Sequence, residues 1–416
     1  MTQMSVLNRG IAEDRDLPTE TDGPSGPAGA GLPAAAPPRR SVLHVFRYFR
    51  PDFTGEGLYV EKLARHLSAL GIESDIVVSA TCPPVPSPAD LAPIAGIGRV
   101  RFFGRPHRSD PTLDPRLLAW LLRHVRDYDV VHLHAQVDRY FLVPLLARLG
   151  GRRVIQSCTL DDGLGRVIGS YRGWRRPVAR LLCRTVQEVV AISPRLAEDS
   201  CRIVPARRVH LIPQGVDAPP EAPAPSGEDR AALRARLGLA PNEVVLLFVG
   251  SLSRRKGVAD LVANQVRLCR SAPVRLLIVG PDLEDDYAAE VRRAAGASGA
   301  GIVFTGYTDD PLSYYRAADL FVFASYAEGF GNVLLEAMAN GLPVVSRRLA
   351  GVTDWFIADG QTGLLFDTDE EYRAAVLRLA ADPDLRARIG AAARTAALTD
   401  FGLPAIAARY AALYRA

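Results

Sequence analysis

The chain has few cysteines, very few lysines and no long apolar run. The cysteine spacing and the missing apolar run each argue against a class of protein. Five cysteines are spread over 416 residues without a C-x-x-C pair. This spacing argues against a disulfide framework and a cysteine zinc site, and it predicts reduced thiols. No stretch reaches the ~18 apolar residues of a membrane-spanning helix, and the N-terminal segment lacks the apolar core of a secretory signal. We therefore expect a cytoplasmic protein.

The net charge is small and the basic residues are nearly all arginine. The chain has 50 Lys and Arg against 46 Asp and Glu, a formal net charge of +4, which argues against a nucleic-acid partner. Lysine occurs only at Lys62 and Lys256, which singles out both positions. The basic segment YRGWRRPVARLLCR (171–184) fits either a solvent-facing helix, which we favour, or peripheral contact with anionic lipid.

Alternating strand and helix patterns organise the chain into two similar halves. Residues 1–40 are rich in Pro, Gly and Ala, which predicts a disordered tail. From residue 41 a strand–loop–helix–strand order predicts a parallel, doubly wound sheet, and this order restarts after the Pro/Ala segment 218–230. We therefore predict two Rossmann-like domains, residues 41–215 and 241–395, with a linker over 216–240 and a closing helix over 396–416 that packs back on the first domain.

Two loops of the second domain have the position at which open parallel sheets bind ligands, after a strand and before a helix. In GSLSRRKG (250–257), Arg254, Arg255 and Lys256 place cations at a helix N-terminus, which suits a diphosphate; the alternative is a solvated basic turn. In FTGYTDD (304–310), the backbone at Gly306 and Tyr307 could approach a planar base, although an ordinary strand-to-helix turn is the simpler interpretation.

A third loop, SYAEGFGNVLLEAMANGLPVV (325–345), carries two glutamates eight residues apart. On one continuous helix Glu328 and Glu336 would lie about 80° apart, and the Gly-Phe-Gly between them instead predicts a turn followed by a helix. Backbone amides at positions 330–332 would then form an anion site. Glu336 is either a plain surface residue or, as its apolar neighbours favour, a carboxylate with a partner such as a ribose diol.

These residues resemble the E-x7-E signature of retaining glycosyltransferases of family 4, whose GT-B fold has two Rossmann-like domains facing a central cleft. The similarity extends to FTGEG (53–57), DVVHLH (129–134), VVAIS (189–193), LIPQGVD (211–217), VGSLSRRKG (249–257) and GQTGLLF (360–366), and it covers the chain from about residue 41 to 400. It implies a nucleotide-sugar donor bound by the C-terminal domain, an acceptor bound by the N-terminal domain, no obligatory metal and transfer with retention.

The resemblance also assigns roles to the matching positions. It implies that Glu328 holds the donor sugar, Glu336 the ribose, and Lys256 with one arginine the leaving diphosphate. We expect His134 to face the sugar and the acceptor, and His132 to pack inward. The implied catalytic residues are Glu328, His134, Lys256 and Arg255; the implied nucleotide-sugar-binding residues are Arg254, Arg255, Lys256, Gly306, Tyr307, Glu328, Gly329, Phe330, Gly331, Asn332, Val333 and Glu336; the implied acceptor-binding residues are Gly55, Glu56, Gly57 and His134.

Two positions depart from the family pattern. The family's phosphate loop often carries an arginine where this chain has Ser251, so Arg254 or Arg255 would have to supply that charge. The acceptor loop reads TGEG in place of a plain Gly-Gly, and Glu56 could contact a cationic or hydroxyl-rich acceptor.

The predicted function is hexosyl transfer from a nucleotide sugar, with UDP the default nucleotide by family frequency. The predicted acceptor is a small soluble molecule such as an aminocyclitol or another secondary-metabolite core in antibiotic biosynthesis; the alternative is a cell-envelope polysaccharide or glycolipid. A nucleotide-sugar epimerase and a non-enzymatic sugar-binding protein are weaker alternatives. A phosphorylase with pyridoxal phosphate needs a Schiff-base lysine, and we disfavour it because Lys62 lies on a surface-like helix and Lys256 in the phosphate loop.

Overall fold

The computed structural model describes residues 39–49, 55–79, 94–103, 114–134, 142–159, 163–220 and 230–416. The tail predicted over residues 1–40 lies outside these ranges except for its last two residues, and the middle of the predicted linker lies outside them as well. Within the described ranges, no helix is both long and apolar enough to cross a bilayer.

The first half of the chain folds into a parallel sheet with the described strand order β3-β2-β1-β4-β5-β6-β7. The strands are β1 (Arg40–Phe46), β2 (Ile72–Val78), β3 (Ile97–Phe102), β4 (Val130–His134), β5 (Arg153–Cys158), β6 (Glu188–Ala191) and β7 (Val209–Leu211). The helices are α1 (Gly55–Ala69), α2 (Pro115–His124), α3 (Leu142–Leu149), α4 (Leu164–Gly169), α5 (Arg175–Leu182) and α6 (Pro194–Cys201).

The second half forms another parallel sheet, with the described order β10-β9-β8-β11-β12-β13. Its strands are β8 (Val244–Val249), β9 (Val274–Val279), β10 (Ile302–Gly306), β11 (Leu320–Phe323), β12 (Val344–Arg347) and β13 (Leu364–Phe366). Its helices are α7 (Arg230–Arg236), α8 (Val258–Leu268), α9 (Asp285–Ser298), α10 (Pro311–Ala317), α11 (Asn332–Ala339), α12 (Thr353–Phe356), α13 (Asp369–Ala381), α14 (Pro383–Asp400) and α15 (Leu403–Arg415).

Continuous apolar runs explain why the inner strands are parallel and central. β8 reads VVLLFV and is buried along nearly its whole length, and β11 reads LFVF and is fully buried. A strand that is buried on both faces of a parallel sheet has apolar residues throughout. A strand of an antiparallel sheet with one solvated face alternates apolar and polar residues instead. The predicted fold class, two doubly wound parallel sheets, is confirmed.

Each sheet has one point at which the strand order changes direction. In the first sheet the chain moves outward from β1 to β3 on one side and from β4 to β7 on the other; in the second sheet the same change occurs between β8 and β11. Loops that leave neighbouring strands in opposite directions open a crevice at the carboxyl ends of those strands, and ligands bind there. Residues that follow β1, β4, β8 and β11 are therefore the first candidates for a site.

The C-terminal helix returns to the first sheet. Leu403, Ile406 and Tyr414 of α15 belong to the same buried cluster as Val42 and Phe46 of β1. Residues 40–416 form one compact unit. The domain boundary predicted between residues 395 and 396 falls inside α14, which continues to Asp400.

Candidate active site

The loop after β8 places two cations beside the end of β11. Residues 254–256 form one turn of 3-10 helix, and Gly257 then adopts φ 66°, a left-handed conformation that favours glycine. A Cβ at position 257 would lie 2.3 Å from the carbonyl oxygen of Ala324. The backbone N–H of Tyr326 donates to the carbonyl of Arg255 at 2.9 Å. Glycine therefore lets the two loops of the switch point pack directly on each other.

Glu328 is the carboxylate that two cations of this loop contact. Lys256 Nζ lies 2.6 Å from its Oε1, and Arg255 Nη1 lies 2.8 Å from its Oε2. The side chains of Glu328 and Lys256 are only 11% and 15% exposed. Burial raises the pKa of Glu328, but the ammonium of Lys256 and the guanidinium of Arg255 outweigh burial and hold that pKa below its usual value. Glu328 is therefore ionised, and its single negative charge is shared by two cations.

Arg254 contacts a different part of the protein. Its guanidinium lies 3.5 Å from the carboxylate of Glu290 and 5.1 Å from the ring centroid of Tyr287, both on α9. Either arginine could supply the charge missing at Ser251. The structure places Arg255 beside Glu328 and the side chain of Arg254 against α9.

Glu336, on α11, is held from both halves of the chain. Lys62 Nζ, on α1, lies 3.0 Å from its Oε1, and the hydroxyl of Tyr315 donates to its Oε2 at 3.0 Å. Tyr315 is fully buried, and burial with the adjacent carboxylate raises the pKa of its hydroxyl well above the usual value. The sequence predicts a surface-like helix for Lys62; the structure shows a half-exposed side chain with a specific partner.

The turn before α11 leaves backbone amides at the start of a helix. Gly331 adopts φ 109° and directly precedes Asn332, the first helical residue. Phe330 is buried with its ring centroid 5.1 Å from that of Phe356, so its side chain belongs to the core and only its backbone remains for a ligand. Among the described residues, Oδ1 of Asn332 is buried without a hydrogen-bond partner, and a ligand hydroxyl could supply one.

The remaining residues predicted to bind the nucleotide sugar lie at the carboxyl edge of the second sheet or beside the turn before α11. Gly306 ends β10, the edge strand two positions from β8, and a Cβ there would meet open space. Tyr307 is 54% exposed and its hydroxyl donates to Asp309 at 2.6 Å. Gly329 is buried and Val333 half-buried.

Three histidines lie side by side at the switch point of the first sheet. His44 on β1 and His132 and His134 on β4 are at most 4% exposed. His134 Nδ1 lies 3.1 Å from Glu56 Oε1, and its Nε2 lies 2.9 Å from Nδ1 of His44, whose Nε2 lies 3.2 Å from the Ser74 hydroxyl. Because a carboxylate only accepts, Nδ1 of His134 donates to Glu56, and the contacts continue from His134 through His44 to Ser74.

His134 has neither ring nitrogen left for a ligand in this arrangement. Its ring also stacks on Phe46 with the centroids 4.2 Å apart. Glu56 is the more exposed partner, at 14% against 4% for His134. Gly55 and Gly57 belong to the same first turn of α1. The structure thus joins the predicted acceptor residues, with Glu56 rather than His134 at the accessible end.

The same histidines are the described residues that could hold a metal ion. One ring nitrogen from each lies within 4.8 Å of the others. His132 is also paired at both nitrogens, with the hydroxyls of Tyr414 at 2.7 Å and Ser157 at 2.8 Å. Burial, followed by the neighbouring histidines, lowers the pKa of His44 and His132 well below the usual value. Both ring nitrogens of each histidine are therefore already paired with protein groups.

A second cation from the first half also contacts the loop after β11. Arg195, on α6, donates from Nη2 to the backbone carbonyl of Glu328 at 2.8 Å, and its backbone N–H donates to the carbonyl of Gly351 at 3.2 Å. No sequence motif points to Arg195, Tyr315 or His44 as site residues. The rarity of lysine was the one available signal for Lys62.

Comparisons with known proteins cover both halves of the chain. A family model described as Glycosyltransferase Family 4 matches residues 53–218, and one described as Glycosyl transferases group 1 matches residues 243–382. A D-inositol 3-phosphate glycosyltransferase of Nocardia farcinica is 31% identical over 375 residues, which cover 82% of this chain and 80% of the relative.

Two further matches differ in how much of the chain they cover. An alpha-maltose-1-phosphate synthase of Mycolicibacterium smegmatis is 33% identical over 255 residues, 57% of this chain and 65% of the relative. The crystal structure of Anabaena HepE in complex with UDP has a TM-score of 0.72 at 22% identity, covering 90% of this chain and 99% of that one.

Proposed function

The chain belongs to glycosyltransferase family 4 and is a glycosyltransferase that uses a nucleotide-sugar donor, and from this premise we propose that it transfers a hexose from a UDP-sugar to a hydroxyl of a small soluble acceptor, with retention. The donor is proposed to bind the second sheet and the acceptor the first. The observation that carries the proposal is the cluster of Lys256, Arg255 and Glu328 at the switch point of the second sheet.

The main electrostatic demand of this reaction falls on the leaving diphosphate. The bond between the anomeric carbon and the diphosphate oxygen breaks, and the acceptor oxygen bonds to the same face of that carbon. The acceptor proton passes to a phosphate oxygen of the departing nucleotide. Lys256 and Arg255 carry two positive charges against the one negative charge of Glu328, so positive charge remains for the diphosphate, and the amides at the start of α11 add to it.

Glu328 is proposed to position the sugar and the two cations, not to attack the anomeric carbon. Both of its oxygens already contact a cation, and an ion-paired carboxylate with a lowered pKa is a weak nucleophile. Each oxygen keeps a lone pair that can accept a hydrogen bond from a sugar hydroxyl. We therefore expect no covalent glycosyl-enzyme.

Glu56 is the proposed contact for the acceptor. Within the described residues His134 holds one of its oxygens at 3.1 Å, and the other oxygen is proposed to accept from a hydroxyl or a cationic group. Glu56→Ala should raise the KM for the acceptor more than the KM for the donor. An unchanged acceptor KM would remove Glu56 from the acceptor site.

The acceptor class is proposed from the names of relatives. D-inositol 3-phosphate glycosyltransferase and alpha-maltose-1-phosphate synthase are both named after small phosphorylated molecules, which supports a small soluble acceptor. UDP is the first nucleotide to test because HepE, a protein of the same fold, was solved with UDP. A role in antibiotic biosynthesis stays a prediction, on which no contact in the structure bears.

A panel of donors tests the proposed reaction. The purified protein is incubated with UDP-, GDP-, ADP- and dTDP-hexoses and with small polyol and aminocyclitol acceptors, and products are followed by proton NMR. We expect one nucleotide class to yield a glycoside whose anomeric configuration matches that of the donor. Inversion, or conversion of the donor sugar without any acceptor, would contradict the proposal; the second result is the one expected of an epimerase.

One observation favours a second candidate, transfer to a membrane-linked acceptor. Trp174, directly before α5, and Val178 and Leu181 on α5 recur at helical spacing and are 69%, 37% and 59% exposed. Five arginines surround them and are also exposed: Arg172, Arg175, Arg176, Arg180 and Arg184. An exposed apolar stripe flanked by arginine suits an anionic lipid surface, where apolar side chains enter the interface and guanidinium groups meet phosphates.

Vesicle binding separates the two candidates. The wild-type protein and a Trp174→Ala/Leu181→Ala variant are sedimented with anionic and with neutral phospholipid vesicles. Binding to anionic vesicles alone that the variant loses supports the membrane-linked acceptor. A matched control is Leu149→Ala, because Leu149 is 72% exposed on another helix. No sedimentation of the wild-type protein would leave the soluble acceptor as the proposal.

A further inference from the structure

The chain has two lysines, and each contacts one of the two glutamates of the 325–345 loop. Lys256 lies 2.6 Å from Glu328, within the second half of the chain. Lys62 lies 3.0 Å from Glu336 and comes from α1 in the first half, 274 residues away in sequence. Every other basic side chain that is not histidine is arginine. The proposed function uses the first pair and leaves the second without a role.

We propose that Lys62 is a positioning residue of the donor site: it holds the Glu336 carboxylate in the orientation that accepts the two hydroxyls of the donor ribose, and it thereby couples ribose binding to the contact between the two halves. This inference rests on the proposed function and on the ribose role that the family resemblance implies for Glu336.

Among the described contacts, the carboxylate of Glu336 keeps hydrogen-bonding capacity for the ribose while Lys62 is bound. Lys62 donates to Oε1, and the buried hydroxyl of Tyr315 donates to Oε2. Each carboxylate oxygen accepts two hydrogen bonds, so one lone pair on each oxygen remains for a vicinal diol. With one donor on each oxygen, the carboxylate is fixed in its plane before the ribose arrives, and less conformational freedom is lost on binding.

A lysine suits this position better than an arginine. An ammonium group is a point charge that contacts one oxygen, whereas a guanidinium forms a two-pronged pair that covers both oxygens of a carboxylate. An arginine at position 62 would therefore compete with the diol for the lone pairs that the ribose needs. This gives a physical reason for a lysine here in a chain that otherwise uses arginine.

The contact also links the donor to the first sheet. α1 begins at Gly55 and carries Glu56 in its first turn, while Lys62 lies on the same helix two turns further along. A ribose held by Glu336 thus meets a helix whose start forms the proposed acceptor site. Because Lys62 is 42% exposed, the pair itself adds little to stability, and its effect is expected in binding.

Nucleotides with and without the ribose diol test the inference. Dissociation constants for UDP and for 2′,3′-dideoxy-UDP are measured by calorimetry with wild-type protein, Lys62→Met and Arg65→Met. Met keeps the length of the apolar stem without the charge. Arg65 is the matched control because it lies on the same helix and pairs with Asp217 at 3.8 Å instead of with Glu336.

We expect Lys62→Met to weaken UDP about 3- to 10-fold, the range of one oriented hydrogen bond, and to change dideoxy-UDP by less than about 2-fold. Arg65→Met should change neither constant. In a Glu336→Gln background, Lys62→Met should have no further effect on UDP, because the two residues act as a unit.

The failures of the two proposals are distinguishable. If wild-type protein binds neither nucleotide in this experiment and no donor in the panel yields a glycoside, the proposed function fails and this inference falls with it. If wild-type protein binds UDP and Lys62→Met binds it equally well, the inference alone is overturned. An equal loss for UDP and dideoxy-UDP would also overturn it, since Lys62 would then act on something other than the ribose diol.

Discussion

The two glutamates of the 325–345 loop differ in how their charges are held, and the difference bears on what each can do. Glu328 is nearly buried and contacts two cations. Glu336 is 27% exposed and contacts one cation and one hydroxyl. Removing the charge of Glu328 would leave two cations close together without their shared anion, whereas the same change at Glu336 affects a more solvated pair.

Glu328→Gln should lower kcat by at least about 100-fold, the usual effect of removing one oriented polar group from a transition-state site. The amide keeps the shape but no longer balances Lys256 and Arg255, so both cations are expected to shift. Steady-state kinetics with the identified donor measures the effect. Glu336→Gln is the comparison variant and should act mainly on the donor KM; a fully active Glu328→Gln variant would remove Glu328 from the mechanism.

The buried histidines make stability depend on pH in one direction. In the folded protein the pKa of His44 and of His132 is lowered well below 6.5, so the unfolded chain binds more protons below that pH. The contribution of these two histidines to the free energy of unfolding is present in full above pH 6.5, and it is lost as the pH falls from 6.5 toward the folded-state pKa. The loss is up to about 1.4 kcal/mol per pH unit for each histidine.

His44→Gln should therefore reduce the pH dependence of unfolding, whatever it does to stability at neutral pH. Urea titrations between pH 7.5 and 5.5 give the free energy of unfolding, and its slope against pH should fall by up to about 1.4 kcal/mol per unit. His124→Gln is the control, because His124 is 45% exposed. Equal slopes for the wild-type protein and His44→Gln would contradict the neutral, buried state of His44.

At the level of elements, the loops of the site were predicted, whereas two helices with recognisable start signals were missed. Apolar runs fix where β8 and β11 end, and the sequence places charged or glycine-rich loops directly after them, so 250–257 and 325–331 could be identified. α6 was not predicted, although Ser193-Pro194 is a common helix start. α13 was missed as well, although Thr368 and Glu371 form a capping box.

Gly257 is the element-scale position on which the cation cluster depends. Gly257→Ala should cost more than about 3 kcal/mol of unfolding free energy, because the Cβ adds a collision with the Ala324 carbonyl to the cost of a positive φ. Gly299→Ala is the control, because Gly299 has φ 61° with open space around it and should lose only about 1 kcal/mol. Urea unfolding measures both, and equal losses would show that the two loops do not pack as described.

At the scale of the whole molecule, the contacts between the two halves could not be predicted from the sequence. The pairs of Lys62 with Glu336 and of Arg195 with the Glu328 carbonyl join residues 274 and 133 positions apart. No local pattern encodes such a pair, because it depends on how both sheets are placed. Composition alone pointed to Lys62, through the scarcity of lysine, and it could not name the partner.

Metal removal tests whether the site neutralises the charge of the diphosphate without a metal ion. Lys256, Arg255 and the start of α11 supply positive charge without an ion, so transfer should proceed within about 2-fold of its normal rate in EDTA and should not rise with added Mg²⁺ or Mn²⁺. The donor and acceptor found in the panel serve for the assay. Activity that EDTA abolishes and Mn²⁺ restores would contradict this account of the leaving group.

The most direct test of the central claim, that the cluster around Lys256 binds the donor diphosphate, is a calorimetric titration of UDP into the wild-type protein, Lys256→Ala and Arg254→Ala. Arg254 is the matched control because it lies in the same loop but contacts Glu290 on α9. We predict that Lys256→Ala weakens UDP at least about 10-fold, as expected for loss of a charge-assisted contact, and that Arg254→Ala stays within about 3-fold of wild type. Equal affinity of Lys256→Ala and the wild-type protein for UDP would contradict the claim.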